Sequence, residues 1–220
     1  MARPGALTVA YVQGQRRPYI APFQLFLVTN VLLFATQSLT STSVFSSTLE
    51  SHLHHQDWSP IAQALVSHHL LTRKTTLDLY TPIFNQAVVL NAKSLIILMV
   101  VPLALLLPIL FYRSRQPFVA HVVFALHVSA FLLLLFSVLL AVAAVDVLFG
   151  GTGLNSARTD HLLSAVNLGA CATYLYIAIG KVYAASGAAR IVKVAALTLA
   201  VASIVLGYRF ALLLITLHTT

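Results

Sequence analysis

The chain has 220 residues, 59% of them hydrophobic and 8% charged, with a mean hydropathy of +0.91. Soluble domains carry about 25% charged residues, so an ordinary water-soluble globule is excluded, and the continuous apolar runs point to membrane helices rather than an alternating β-barrel. The net charge of +8 would suggest nucleic acid in a soluble protein; here the basic residues cluster at the ends of apolar runs, where orientation and anionic headgroups account for them, so no nucleic-acid partner is expected.

Residues 1–18, MARPGALTVAYVQGQRRP, read as a basic cytoplasmic lead-in ending near Arg16 and Arg17. Residues 19–40 form the first span, with Asn30 near its middle. That run is longer than a signal-peptide core and no small-x-small site follows it, so it reads as an uncleaved helix. Residues 41–92 are the only substantial polar segment and are assigned outside the cytoplasm. Within them, Ser59-Pro60 reads as an N-cap followed by proline at the first helical position. A short amphipathic helix to about Leu71 should follow, turning Leu65, Val66 and Leu70 toward lipid. The second span is 93–111, kinked by Pro102 and Pro108. The basic loop YRSRQP leads into the third span, 118–148. The fourth and fifth spans, 162–183 and 191–217, are joined by ASGAAR as an antiparallel hairpin. The expected fold is an all-α membrane protein, one domain built as a bundle of five transmembrane helices.

Five spans put the termini on opposite sides. Arg3, Arg16, Arg17, Arg113, Arg115, Lys181, Arg190 and Lys193 fall on the N-terminal side, and Glu50, Asp57, Asp78, Asp146 and Asp160 on the other. The positive-inside rule then gives N-in, C-out.

An ionisable residue within a membrane helix is a functional hypothesis by default, and the third span carries two, His121 and His127. Six residues apart on a helix, they point roughly 120° apart with about 9 Å of rise between them. They therefore belong to different environments. His121, with Arg113 and Arg115 and with Arg16 and Arg17, is expected at the inner headgroups. His127 is expected at the midplane, where it could join Asn30, Asn167 and Tyr174 around a polar cavity. Structural hydrogen bonding, proton or substrate handling, and metal or haem ligation all stay open for the pair. The last needs a ligand from another span.

The fourth span carries two stripes at helical spacing, Asp160, Ser164, Asn167, Cys171, Tyr174 and Gly169, Thr173, Tyr176, Gly180, Tyr183. Small and polar residues on a membrane helix usually mark helix–helix packing, the alternative to a cavity. Ala196, Ala200, Ser203 and Gly207 would allow close approach on the fifth span. Asp146 and Arg209 are a candidate ion pair. His52, His54, His55, His68 and His69 are weak metal candidates in the polar segment. The single cysteine, Cys171, forms no intramolecular disulfide. No phosphate-binding glycine loop, nucleophile elbow or intramembrane acid pair is present, so no catalytic residue and no cofactor is predicted.

Several stretches taken together are similar to a known family. They are Arg3-Pro4-Gly5; Gly14-Gln15-Arg16-Arg17-Pro18-Tyr19 leading to Pro22; Pro102 and Tyr112-Arg113; His121-Val122-Val123-Phe124-Ala125-Leu126-His127 followed by Phe131; and Tyr174-Leu175-Tyr176 leading to Lys181-Val182-Tyr183. This pattern resembles the bacterial membrane family known as domain of unknown function 3667. The resemblance implies a multi-pass protein of the bacterial inner membrane with no assigned activity. Many relatives look as if they carry a zinc ribbon before the Arg-Pro-Gly stretch, and this chain reads as a member without it. The expected role is non-enzymatic: binding or moving a lipid or small molecule, or organising the membrane. The alternatives are an intramembrane enzyme or metal/haem protein using His121 and His127, and a scaffold recruiting partners through residues 41–92. The bilayer is the expected partner, and homo-oligomerisation stays open.

Overall fold

The computed structural model describes residues 4–15, 20–40, 45–151 and 157–220, with side chains of the last stretch from His161 onward. Arg16, Arg17 and the Asp160 side chain lie outside the described residues. All regular structure among the described residues is helical: α1 (Ala6–Val12), α2 (Pro22–Thr40), α3 (Leu49–His54), α4 (Ser59–Arg73), α5 (Leu77–Leu95), α6 (Val100–Leu110), α7 (Phe118–Leu148), α8 (Ala157–Tyr183) and α9 (Gly187–Thr219). Five helical stretches are long and apolar enough to cross a membrane: Pro22–Thr40, Leu77–Leu110, Phe118–Leu148, His161–Tyr183 and Gly187–Thr219. The chain has the make-up of a multi-pass membrane protein. It divides into two compact units, Met1–Thr42 with Met99–Ile204, and Ser43–Leu98 with Val205–Thr220.

The helix through the second apolar run begins at Leu77, well before Lys93. Asp78, Asn85 and Asn91 dilute the hydropathy there, yet Tyr80, Phe84, Val88 and Ala92 recur every fourth residue and are all buried. That spacing keeps one face of a helix against neighbours. A 3-10 turn, Ile96–Met99, separates α5 from α6. Pro102 follows it, and a proline ring clashes with the carbonyl four residues back, here Leu98 inside the turn. The short helix after residue 59 runs to Arg73, with Trp58 rather than Ser59 at its N-cap. Ser59 Oγ instead donates to the Gln56 carbonyl at 2.7 Å.

In the first unit α7 is central, with α2, α6, α1 and α8 packed on it. Helix α2 opens on proline, where the missing N–H is an orphan anyway, and buries Phe26, Thr29, Leu33 and Gln37 as one stripe. The stretch read as a lead-in contains α1, which packs on α7 and α8. Its N-cap, Gly5, has φ +77°, and a Cβ there would lie 3.0 Å from the Ala178 backbone. Glycine is therefore required both for conformation and for close approach. The α8–α9 hairpin is stapled by Arg190, whose Nε and Nη2 donate to the Tyr176 carbonyl at 2.9 and 2.6 Å. Its guanidinium also lies 3.7 Å from the Tyr176 ring centroid. Gly180 makes room for it, since a Cβ there would sit 2.5 Å from Nη2.

In the second unit, side chains tie α5 to the end of α9: Tyr208 Oη donates to the Ala92 carbonyl at 2.9 Å and Asn91 Nδ2 to Thr216 Oγ1 at 3.0 Å. Asn85 Oδ1 accepts from the Leu49 amide at 2.9 Å, joining α3 to α5. Along α9, which contributes to both units, the small residues lie on the chain's own surface. Ala196, Ser203 and Gly207 are exposed, and a Cβ at Gly207 would meet nothing within 4 Å. Large residues, Val194, Leu197, Val201 and Tyr208, take the buried face instead, because they remove more apolar surface.

Candidate functional site

The two intramembrane histidines occupy separate, packed environments, each 3% exposed. His127 Nδ1 is hydrogen-bonded to Thr8 Oγ1 at 2.8 Å. Thr8 is itself 1% exposed and is brought there by α1. His127 lies nine residues along α7, about 13 Å from its start, so α1 reaches well down the helix. The sequence offered no geometric reason to expect this partner; the clue was a lone polar residue in the apolar stretch that follows Gly5.

His121 is a second correction. Expected among the headgroups, it is turned inward, with Nδ1 2.9 Å from Tyr183 Oη. Its ring stacks on Tyr183 at 5.4 Å and 12°, and Phe111 also stacks on Tyr183, at 4.0 Å and 10°. Lys193 Nζ lies 4.5 Å from the Phe111 centroid. Aromatic stacking and the hydroxyl partner outweigh exposure for a ring that both bonds and buries apolar area. Arg113 and Arg115 are exposed in the turn before α7, as a headgroup role requires. Tyr183, named in a packing stripe of the fourth span and in the family pattern but never beside His121, is the partner that the sequence did not point to.

The four residues expected around a midplane cavity separate into two kinds. His127 and Tyr174 are committed internally, Tyr174 by stacking on Phe131 at 4.0 Å and 15°. Asn30 and Asn167 are half-buried, and Asn30 Oδ1 and Asn167 Nδ2 are each enclosed without a hydrogen-bond partner. An unsatisfied group in hydrocarbon costs several kcal/mol, so these two atoms mark unspent bonding capacity.

Asp146 and Arg209 are each placed within their own unit. The Asp146 carboxylate closes over Gly151, where a Cβ would collide with it. Arg209 Nη2 donates to Ser47 Oγ at 2.8 Å.

The five outer histidines do not converge. Among the described residues, no three His, Cys, Asp or Glu side chains come together as a metal site requires. His52 is 1% exposed and its Nδ1 accepts from Trp58 Nε1 at 3.2 Å, which fixes a neutral ring. Burial, then the charge of Arg209, lowers its pKa from 6.5 to about 4. His54 and His55 are exposed. His68 and His69 line a cavity with His218. Burial, with Arg73 and His68 adding to it, holds the His69 pKa below its usual value.

No curated protein and no solved structure matches the chain. Residues 1–34 match the family model described as protein of unknown function DUF3667. The matched stretch contains α1 and α2 as far as Phe34, and so both Gly5 and Thr8. The chain is thus similar, over that segment, to the family its motifs resemble.

Proposed function

We propose that the chain is a non-enzymatic multi-pass protein of a bacterial inner membrane, oriented N-in and C-out, that binds a lipid or small polar molecule within its helices. One observation carries this reading: Asn30 Oδ1, an acceptor, and Asn167 Nδ2, a donor, are enclosed and unpartnered, while His127, beside which they were expected, already has a partner. A ligand that meets both atoms needs both hydrogen-bonding senses, as a glycerol ester or small amide has. No cofactor is required. The exposed arginines at 113 and 115 suit anionic headgroups on the cytoplasmic face, and the outward small-residue face of α9 suits a second copy. An enzyme or haem reading would need His121 or His127 to face open space, and both rings are packed.

The test is mass spectrometry of the intact protein released from detergent micelles. Wild type should carry a bound molecule that is lost from Asn30→Leu/Asn167→Leu with folding retained. Equal occupancy in both, or none in wild type, would refute it.

A further inference from the structure

The second unit holds an open cavity of about 330 Å³ between α4 and the end of α9. Its apolar wall is made by Leu65, Leu214 and Leu217, and its polar wall by His68, His69 and His218. The His69 ring is braced by Tyr80, centroid to centroid 4.9 Å, and Tyr80 Oη is held by Thr220 Oγ1 at 2.5 Å. This bracing leaves His69 Nε2 enclosed and without a protein partner. The charged neighbours acting on His69 are Arg73 and His68, both basic, and Arg73 is exposed at the last turn of α4. The recess is therefore lined by three leucines, three imidazoles and Thr72, with the exposed Arg73 next along α4.

We propose that this cavity binds a single-chain amphiphile with a carboxylate head, of the fatty-acid class. The carboxylate lies at His69 Nε2 and His218, and the chain runs along Leu65, Leu214 and Leu217. Charge complementarity selects the anion. The volume stands at the low end for ligand pockets, about 300–1,000 Å³, which accommodates a head and part of one chain but not a two-chain lipid. The lining offers imidazoles rather than the guanidinium forks that suit phosphate. This site is separate from Asn30 and Asn167, which lie in the first unit.

The experiment is photolabelling of the full chain in phosphatidylcholine nanodiscs with a diazirine-bearing fatty acid, mapped by peptide mass spectrometry. Labelling is expected within residues 61–73 and 212–219, displaced by oleate and not by methyl oleate. His69→Leu/His218→Leu should weaken labelling about tenfold, the loss of a hydrogen bond to a charged group. Leu214→Trp should block the recess while leaving every histidine in place. Asn30→Leu/Asn167→Leu should leave this labelling unchanged, so the two sites succeed or fail separately. Displacement by methyl oleate, displacement by lysophosphatidate but not oleate, or labelling spread over all lipid-facing helices would overturn the proposal.

Discussion

Thr8→Val tests the contact between α1 and α7. Valine keeps the shape of threonine and removes its hydroxyl, so His127 Nδ1 loses the partner that stands 2.8 Å away. Both residues are almost fully enclosed, so water cannot replace the hydroxyl without opening the packing. A buried polar group left unsatisfied costs about 1–3 kcal/mol, whereas hydrogen bonds between membrane helices average about 0.6 and reach about 1.7 kcal/mol. The membrane range governs an intact bundle, so Thr8→Val should cost about 1 kcal/mol. Replacing His127 by Leu as well removes both polar groups, and the pair should then cost less than the sum of the two single changes. The assay is reversible unfolding in mixed micelles with rising dodecyl sulfate, followed by far-ultraviolet circular dichroism, for a full double-mutant cycle. The expected coupling is about 0.6–1.5 kcal/mol. Coupling under about 0.3 kcal/mol, the additivity error, would show that the hydrogen bond does not hold α1 on α7.

Three further outcomes are expected. Gly5→Ala forces a left-handed conformation costing about 1–2 kcal/mol and drives a methyl against the Ala178 backbone; it should destabilise at least as much as Thr8→Val, and protease sensitivity of residues 6–12 in micelles reads the release of α1. Gly180→Ala pushes the Arg190 guanidinium off the Tyr176 carbonyl, a loss of about 1 kcal/mol that offsets the similar gain from replacing a helical glycine; in an Arg190→Ala background only the gain remains, and the same change should raise the thermal melt. Trp58 is the single tryptophan, and its indole N–H donates to neutral His52. Because burial lowers the His52 pKa to about 4, the unfolded chain binds the proton more tightly. Stability is complete above about pH 6.5 and falls as pH drops toward 4. Each pH unit across that window is worth up to about 1.4 kcal/mol, so the ceiling is about 3 kcal/mol. Trp58 emission against denaturant at pH 7 and pH 4.5 should show it, and His52→Phe should flatten the dependence.

What was legible in the sequence followed from apolar run length. The 31-residue helix Phe118–Leu148 coincides with the third run because only two histidines, two serines and, near its end, Asp146 interrupt the apolar sequence. The start of the second was not legible, because in Leu77–Leu95 the buried stripe is carried by four residues among many polar ones, and hydropathy averaged over a window loses a stripe that one face retains. The histidine partners were not legible for a different reason. Thr8 and His127 are 119 residues apart, and nothing in either local pattern encodes the pairing. Yet both ends were marked indirectly. Gly5 and Tyr183 belong to the motifs that carried the family resemblance, and each proves to be a contact on which a membrane histidine depends: Gly5 seats α1 so that Thr8 meets His127, and Tyr183 bonds His121. The segment matched by the family model, residues 1–34, supplies α1 and the buried Phe26, Thr29 and Leu33 of α2, both of which pack on α7. In a bundle of nearly uniform apolar helices, van der Waals packing alone gives little register. A few glycines, hydroxyls and imidazoles are then the groups that specify which helix faces meet, and this accounts for why the motif positions coincide with them.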